Sequence, residues 1–255
     1  MPSKRVQRRI QGTSKKPLLL AAQTDVKLTF APKTEAVILH RVREGTPRVT
    51  LTLERGSHVT YVLICDGCSS ELHSTVAANA EVRWHIFSTG DGSAHSLVSD
   101  VRGKDGISQI DWMFRAKKKQ KQKIDIRNIF SATNGGGEMM LRGIAEDHAS
   151  VDIRGMIDIG LKGGGTQTYL TEDVLMLDAT AKVDALPGLE IKTNDVKASH
   201  SATVSRVTPD QLFYLQSRGL QKAIARQLFI DGFVGEMVDR VPELIRDQAV
   251  KALER

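Results

Sequence analysis

Arg48-Val-Thr-Leu-Thr-Leu-Glu-Arg-Gly-Ser-His-Val-Thr-Tyr-Val-Leu63 is the segment that decides the fold class. Val49, Leu51 and Leu53 alternate with Thr50, Thr52 and Glu54. After the break at Arg55-Gly56-Ser57, Val59, Tyr61 and Leu63 alternate again. A period of two residues buries one face of a strand, and the glycine marks the turn between strands. Outward from this segment the pattern recurs at Val82, Trp84 and Ile86, and at Val151 and Ile153 against Asp152 and Arg154. Turn signals punctuate it at Gly90-Asp-Gly92, Gly103-Lys-Asp-Gly106, Asn134-Gly-Gly-Gly137 and Gly163-Gly-Gly165. No period of 3.6 residues interrupts residues 35–207, which excludes a βαβ fold. A sandwich, a closed barrel and a β-solenoid remain open, and short strands with a drifting repeat fit a solenoid of imperfect rungs.

The pattern changes at residue 208. Thr208-Pro209-Asp210-Gln211 reads as a helix start, with Thr as N-cap, Pro in the first turn and a carboxylate near the positive end of the dipole. Gly219 ends this helix in a left-handed conformation. A second helix runs from about Gln221, with Ile224, Leu228, Phe233 and Met237 as its apolar stripe, and a third spans Glu243 to Leu253. The expected organisation is a basic, disordered tail over 1–17, a β-core over 18–207 and a helical subdomain over 208–255. Such helices would hide an open sheet edge.

Composition narrows the function classes. The 255 residues are 40% hydrophobic but only 5% aromatic, so the core is expected to rest on aliphatic side chains. No run approaches the roughly 18 apolar residues that cross a bilayer. Leu18 to Ala22 is too short for a signal-peptide core, and two cysteines make no disulfide framework; both point to the cytoplasm and reduced thiols. The net charge of +6 and pI near 9.3 suggest nucleic acid, but the distribution does not. Positive charge concentrates in residues 1–16 and in Arg115–Lys123, while the remainder is net acidic. The second run has no interleaved aromatics for base stacking and reads as a solvated loop or an edge strand guarded by lysines.

Few residues carry obvious chemistry. Cys65-Asp-Gly-Cys68 has metal-ligand spacing, with His73 nearby, yet no second pair completes a zinc site; reduced thiols in a turn are expected. Neither glycine run leads into a P-loop, and both read as corner turns. Asp147-His148 reads as a surface turn. His200, in a polar strand before the helices, is on its chemistry alone a hydrogen-bonded structural histidine that could also ligate iron, zinc or copper.

Pro187-Gly-Leu-Glu-Ile-Lys-Thr-Asn-Asp-Val-Lys-Ala-Ser-His-Ser-Ala-Thr-Val204, followed by Asp210-Gln-Leu-Phe-Tyr-Leu-Gln-Ser-Arg-Gly-Leu220 and Ala223-Ile-Ala-Arg226, resembles the SufB/SufD family of iron–sulfur cluster assembly proteins, and SufD more closely. The resemblance implies a right-handed parallel β-helix followed by a C-terminal helical subdomain. It implies a non-catalytic subunit gripped by the ABC-type ATPase SufC through Phe213, Tyr214, Leu215, Arg218, Gly219, Leu220, Ala223, Arg226, Phe229 and Phe233. It implies pairing with a SufB-like subunit, or with a second copy, through the strands around 172–206, and no nucleic-acid or membrane partner. His200 matches the family's interface histidine and so becomes a candidate ligand for iron or a transient cluster.

Three departures qualify the match. Glu172 falls at or near the position where SufB-like members carry cysteine, which makes it a second candidate ligand. Ser201 follows the histidine in place of glutamate, and Ala198 stands where SufD-like members often have cysteine. The family's N-terminal helical region is not seen in this sequence. Two other readings stay open: a β-rich dimerisation or regulatory module without a cluster role, and a β-helix enzyme acting on polysaccharide. Three Tyr and two Trp offer little sugar-stacking surface to the latter.

Overall fold

The computed structural model describes residues 5–14, 16–20 and 25–253. Its strands wind back and forth between two parallel sheets. The first sheet runs β1 (Val6–Ile10), β3 (Val26–Phe30), β5 (Arg48–Leu53), β7 (Ser70–Val76), β9 (Ser93–Val101), β11 (Lys121–Phe130), β13 (Ser150–Ile159) and β15 (Lys182–Ala185), with β16 (Gly188–Ile191) also on β13. The second runs β2 (Leu18–Leu20), β4 (Glu35–Val42), β6 (His58–Asp66), β8 (Glu81–Thr89), β10 (Ile107–Ala116), β12 (Gly136–Ala145), β14 (Thr166–Met176) and β17 (Val196–Arg206). Each turn of chain contributes one strand to each sheet, which makes a two-sided parallel β-helix. Three helices follow: α1 (Pro209–Ser217), α2 (Lys222–Asp239) and α3 (Glu243–Leu253).

The corners explain how the stack keeps register. Lys33, Gly56, Asn79, Asp105, Asn134 and Gly165 all have positive φ and occupy the same corner on successive rungs. Each donates its backbone N–H to the next rung: Gly56 to Ala78 O (3.0 Å), Asn79 to Lys104 O (3.0 Å), Asp105 to Thr133 O (3.1 Å) and Asn134 to Gly164 O (2.8 Å). Gly, Asn and Asp tolerate this left-handed conformation best, which is why the turn signals were legible. Gly135 and Gly165 sit in corners, as expected of the glycine runs, whereas Gly136 and Gly137 belong to β12.

The core lies between the sheets. The inward residues include Leu51, Leu53, Leu63 and Ile86, but also Tyr61, Trp84, Trp112, Phe114 and Phe130, all fully buried. Half of the aromatic residues thus stand in the lumen. Buried indole N–H groups need acceptors, and serines supply them: Trp84 Nε1 donates to Ser74 Oγ (3.2 Å) and Trp112 Nε1 to Ser88 Oγ (2.9 Å).

Several expectations are corrected. Val6–Ile10 is not a disordered tail but the first strand, paired with β3, and Arg9 Nη2 donates to Glu54 Oε2 (2.8 Å); residues 1–4 and 15 of that segment lie outside the described residues. Cys65 and Cys68 are joined as a disulfide and are not reduced thiols. Of the two readings of the lysine run, the solvated loop matches the corner 117–120, and the edge strand does not hold, because the run continues into β11, an interior strand between β9 and β13. The helices do not hide a sheet edge. α2 and α3 lie on the outer face of the second sheet, where Leu39, Val62, Ile64, Phe87, Met113, Ile144, Leu175 and Leu177 pack with Ile230, Val234, Met237, Val238 and Ile245. The apolar stripe of α2 is accordingly rotated: Ile224 and Leu228 face outward.

Ion pairs fix the orientation of this helical layer. Buried Asp111 is ion-paired with Arg240, its Oδ1 3.0 Å from Arg240 Nε, and lies 3.1 Å from His85 Nδ1. Arg226 bridges Asp178 (2.8 Å) and Glu146 (3.6 Å). Arg115 Nη1 donates to Leu253 O at the end of α3 (2.8 Å), and Arg142 stacks 4.5 Å from the ring centre of Phe233.

The lumen leaves little slack. A Cβ on Gly143 would come within 2.2–2.3 Å of three ring carbons of Phe114. Gly143→Ala should therefore cost about 1–3 kcal/mol through overpacking, read as a lower urea midpoint with an unchanged slope.

Candidate functional site

Two features of the C-terminal third stand out: the last rung of the β-helix and the groove between α1 and α2. Among the described residues no strand pairs with the outer edge of β17, which bonds only to β14. Inward alternation along β14 places Leu170, Glu172 and Val174 in the lumen, all fully buried. In parallel register, Leu170 lies beside His200, Glu172 beside Ala202 and Val174 beside Val204. His200 therefore stands on the lumenal face of a rung that no other strand of the described residues covers, and it is exposed. Leu186, Ile191 and Val204 are exposed apolar side chains of the same end.

Glu172 is one strand away from His200 and two residues along, on the same face. Its Oε1 accepts from Gly155 N–H (2.7 Å), while Oε2 has no hydrogen-bond partner among the described residues. Burial pushes its carboxyl up to about 7, against the opposing pull of the Gly155 N–H. The structure thus brings both nominated ligand residues to one end of the lumen. Among the described residues no group of three or more His, Cys, Asp or Glu is arranged to hold a metal.

The nominated partner-binding residues divide into two sets. Thr208 caps α1 through a reciprocal capping box with Gln211 (3.2 and 2.8 Å), and Gly219 takes φ 90° just past its end. No residue of α1 is buried. Phe213 and Tyr214 are 70% and 57% exposed, Ala223 is exposed, and Leu215, Leu220 and Phe229 are half-buried. Arg218 lies over the Tyr214 ring at 5.3 Å. Tyr214, Leu215, Leu228 and Phe229, with Asp210 and Gln211 at the rim, line an apolar groove of 470 Å³. Arg226 and Phe233, by contrast, face the β-helix and hold α2 to it. Ile224 and Leu228 were overlooked as surface residues; their i, i+4 spacing was read as a core stripe.

The pH dependence of Glu172 follows from its environment. Its folded pKa lies above the ordinary glutamate value of 4.5, so its contribution to stability is complete below about pH 4.5 and is lost as pH rises through about 7. Glu172→Gln should remove that slope, worth on the order of 2–3 kcal/mol. Urea titrations of both proteins between pH 4.5 and pH 8 check it: the wild type should lose stability relative to the variant as pH rises.

With this geometry in place, comparison with known proteins is specific. The family model "SUF system FeS cluster assembly, SufBD core domain" matches residues 70–233, which include the last rung and most of the α1–α2 groove. The chain is 28% identical over 179 residues to iron-sulfur cluster assembly protein SufD of Escherichia coli (strain K12), covering 69% of this chain and 41% of that protein. It is 30% identical over 179 residues to SufD of Bacillus subtilis (strain 168), with the same two shares, 69% and 41%. It is 31% identical over 201 residues to a SufBD family protein of Staphylococcus saprophyticus, covering 76% of this chain and 43% of that one. The chain spans less than half the length of each of these relatives. The family match extends over more than half of the chain, and the protein belongs to the SufB/SufD family of iron–sulfur cluster assembly proteins, on its SufD-like side.

Proposed function

We propose that this chain is a SufD-type, non-catalytic subunit of a cytoplasmic iron–sulfur cluster assembly complex. The observation that carries the reading is the coincidence of a family match over residues 70–233 with an unpaired last rung bearing His200. An edge strand offers a row of backbone donors and acceptors that a strand of a SufB-like subunit, or of a second copy, can extend. The apolar groove of α1 and α2 is the docking surface for a SufC-like ABC ATPase, with Phe213, Tyr214 and Leu228 as its exposed anchors and Arg226 and Phe233 holding α2 in place behind them. His200 offers an imidazole to iron or a nascent cluster, carried as cargo, and Glu172 supplies a carboxylate once a cation favours its ionised form.

One observation favours a second reading, a dimerisation module without a cluster role. Both cysteines lie far from the last rung, and iron–sulfur clusters are usually held by cysteine thiolates. The partner would have to provide them.

Anaerobic reconstitution with SufB- and SufC-type partners, followed by iron and sulfide quantification, separates the two readings. His200→Ala should leave the fold and the association intact and lower the cluster yield severalfold; an unchanged yield favours the dimerisation module. Tyr214→Asp or Leu228→Asp should weaken association with the ATPase at least about tenfold, since burying an unpaired carboxylate in an apolar contact is costly. The circular dichroism spectrum should not change, because both positions are solvent-facing. Retained association would overturn the docking assignment.

A further inference from the structure

We propose that the cleft between α3 and the C-terminal ends of β4 and β6 binds inorganic phosphate, and that the bound anion ties α3 to the β-helix. The cleft has a volume of 50 Å³, and its lining includes Arg41, Arg43, Ile64, Asp66, Gln248 and Lys251. A water needs about 10–15 Å³ of such space, so there is room for one tetrahedral oxyanion. Strand alternation sets the cations in place. Arg41 points outward from β4 in register with Ile64 of β6, and Arg43 follows two residues later on the same side, as Asp66 follows Ile64. Gln248 and Lys251 are three residues apart on α3 and share one face of it. All of them meet on the outer side of the second sheet, the side that α2 and α3 cover.

Charge sets this cleft apart from the rest of the helical layer. Arg115, Arg142, Arg226 and Arg240 all have carboxylate partners there. Arg41, Arg43 and Lys251 have none: among the described residues they form no ion pair and no side-chain hydrogen bond, and the Gln248 carboxamide is equally without a partner. Three unpaired cations gathered in one concavity repel one another, and an anion among them turns that repulsion into attraction. Guanidinium groups present their donors in a fork that matches two phosphate oxygens, and Lys251 and Gln248 add donors from the helix side.

Asp66 decides which anion fits. A carboxylate repels a fully ionised oxyanion but accepts a hydrogen bond from one that keeps a proton. Phosphate keeps at least one proton at neutral pH and sulfate keeps none, so the cleft favours phosphate. Asp66 is half-buried and is oriented by Thr89 Oγ1, which donates to its Oδ1 (3.3 Å). Held among these groups, one phosphate touches β4, β6 and α3 at once.

The test is isothermal titration calorimetry and thermal unfolding of the full chain at pH 7, with sodium phosphate, sulfate and chloride at matched ionic strength and with glycerol 3-phosphate. Phosphate should bind and raise the Tm progressively with concentration, and it should slow amide hydrogen exchange in α3. Sulfate should bind at least about fivefold more weakly, the loss of one hydrogen bond to a charged group. Arg43→Ala and Lys251→Ala should each weaken phosphate binding about five- to tenfold without lowering the Tm in chloride. Lys119→Ala, in the basic corner at 117–120, should leave binding unchanged. Asp66→Asn should bring sulfate level with phosphate. Equal responses to the three salts, or phosphate binding untouched by Arg43→Ala and Lys251→Ala, would overturn the site. A sulfate deficit that survives Asp66→Asn would overturn the role of Asp66, and tighter binding of glycerol 3-phosphate would overturn inorganic phosphate as the ligand.

Discussion

In a stack of parallel rungs the backbone of each strand is satisfied only by the rungs above and below it. The rest of this structure depends on that constraint. It forces every corner to repeat one conformation, which the positive-φ series from Lys33 to Gly165 supplies. It forces side chains into register, so that Leu170 and His200 on the lumenal face, or His85 and Asp111 beneath the helices, are neighbours by topology and not by sequence. It also guarantees an end. A closed barrel would have no unpaired edge; a β-helix must have two, and in this chain His200 stands on one of them.

The helical layer answers a different requirement. At the C-terminal ends of the second-sheet strands the two-residue alternation gives way to runs such as Tyr61-Val-Leu-Ile64 and Trp112-Met-Phe114. A strand apolar on both faces needs cover on both faces. The lumen covers one, and α2 and α3 cover the other. Hydrophobic burial holds the layer down, while the Arg240–Asp111, Arg226–Asp178 and Arg142–Phe233 contacts decide which face of α2 is turned inward. α1 lacks such anchors and has no buried residue, which leaves its aromatic side chains for another surface.

How much of this was legible follows from the same physics. Strand periodicity, the capping box at Thr208 and the left-handed Gly219 are local, and local signals survive without a structure. The regularity of the rungs was hidden because the strands of the second sheet lengthen from eight residues in β4 to eleven in β14, so no fixed repeat exists to find. The first strand was hidden because Gln7, Arg8 and Arg9 are exposed in succession, which is an edge composition. The outward position of Ile224 and Leu228 was hidden because helical spacing states that two residues share a face, not which way that face points. The lumenal position of Glu172 depends on register with β12 and β17, and the doublet Glu172-Asp173 does not tell which carboxylate goes inward.

That last ambiguity bears on function. A carboxylate buried without a cation is costly in its ionised form, so Glu172 holds its proton to near neutrality. A cation arriving at the open rung would reverse the balance, because the energy needed to ionise Glu172 is offset by the new attraction, and metal binding would release a proton. His200 is placed differently, exposed at the open rung. On the proposed reading, His200 and Glu172, with no thiolate beside them, make half of a binding site. The unpaired edge of β17 is where the other half would join, so on this reading pairing of the rung and completion of the ligand set are the same event.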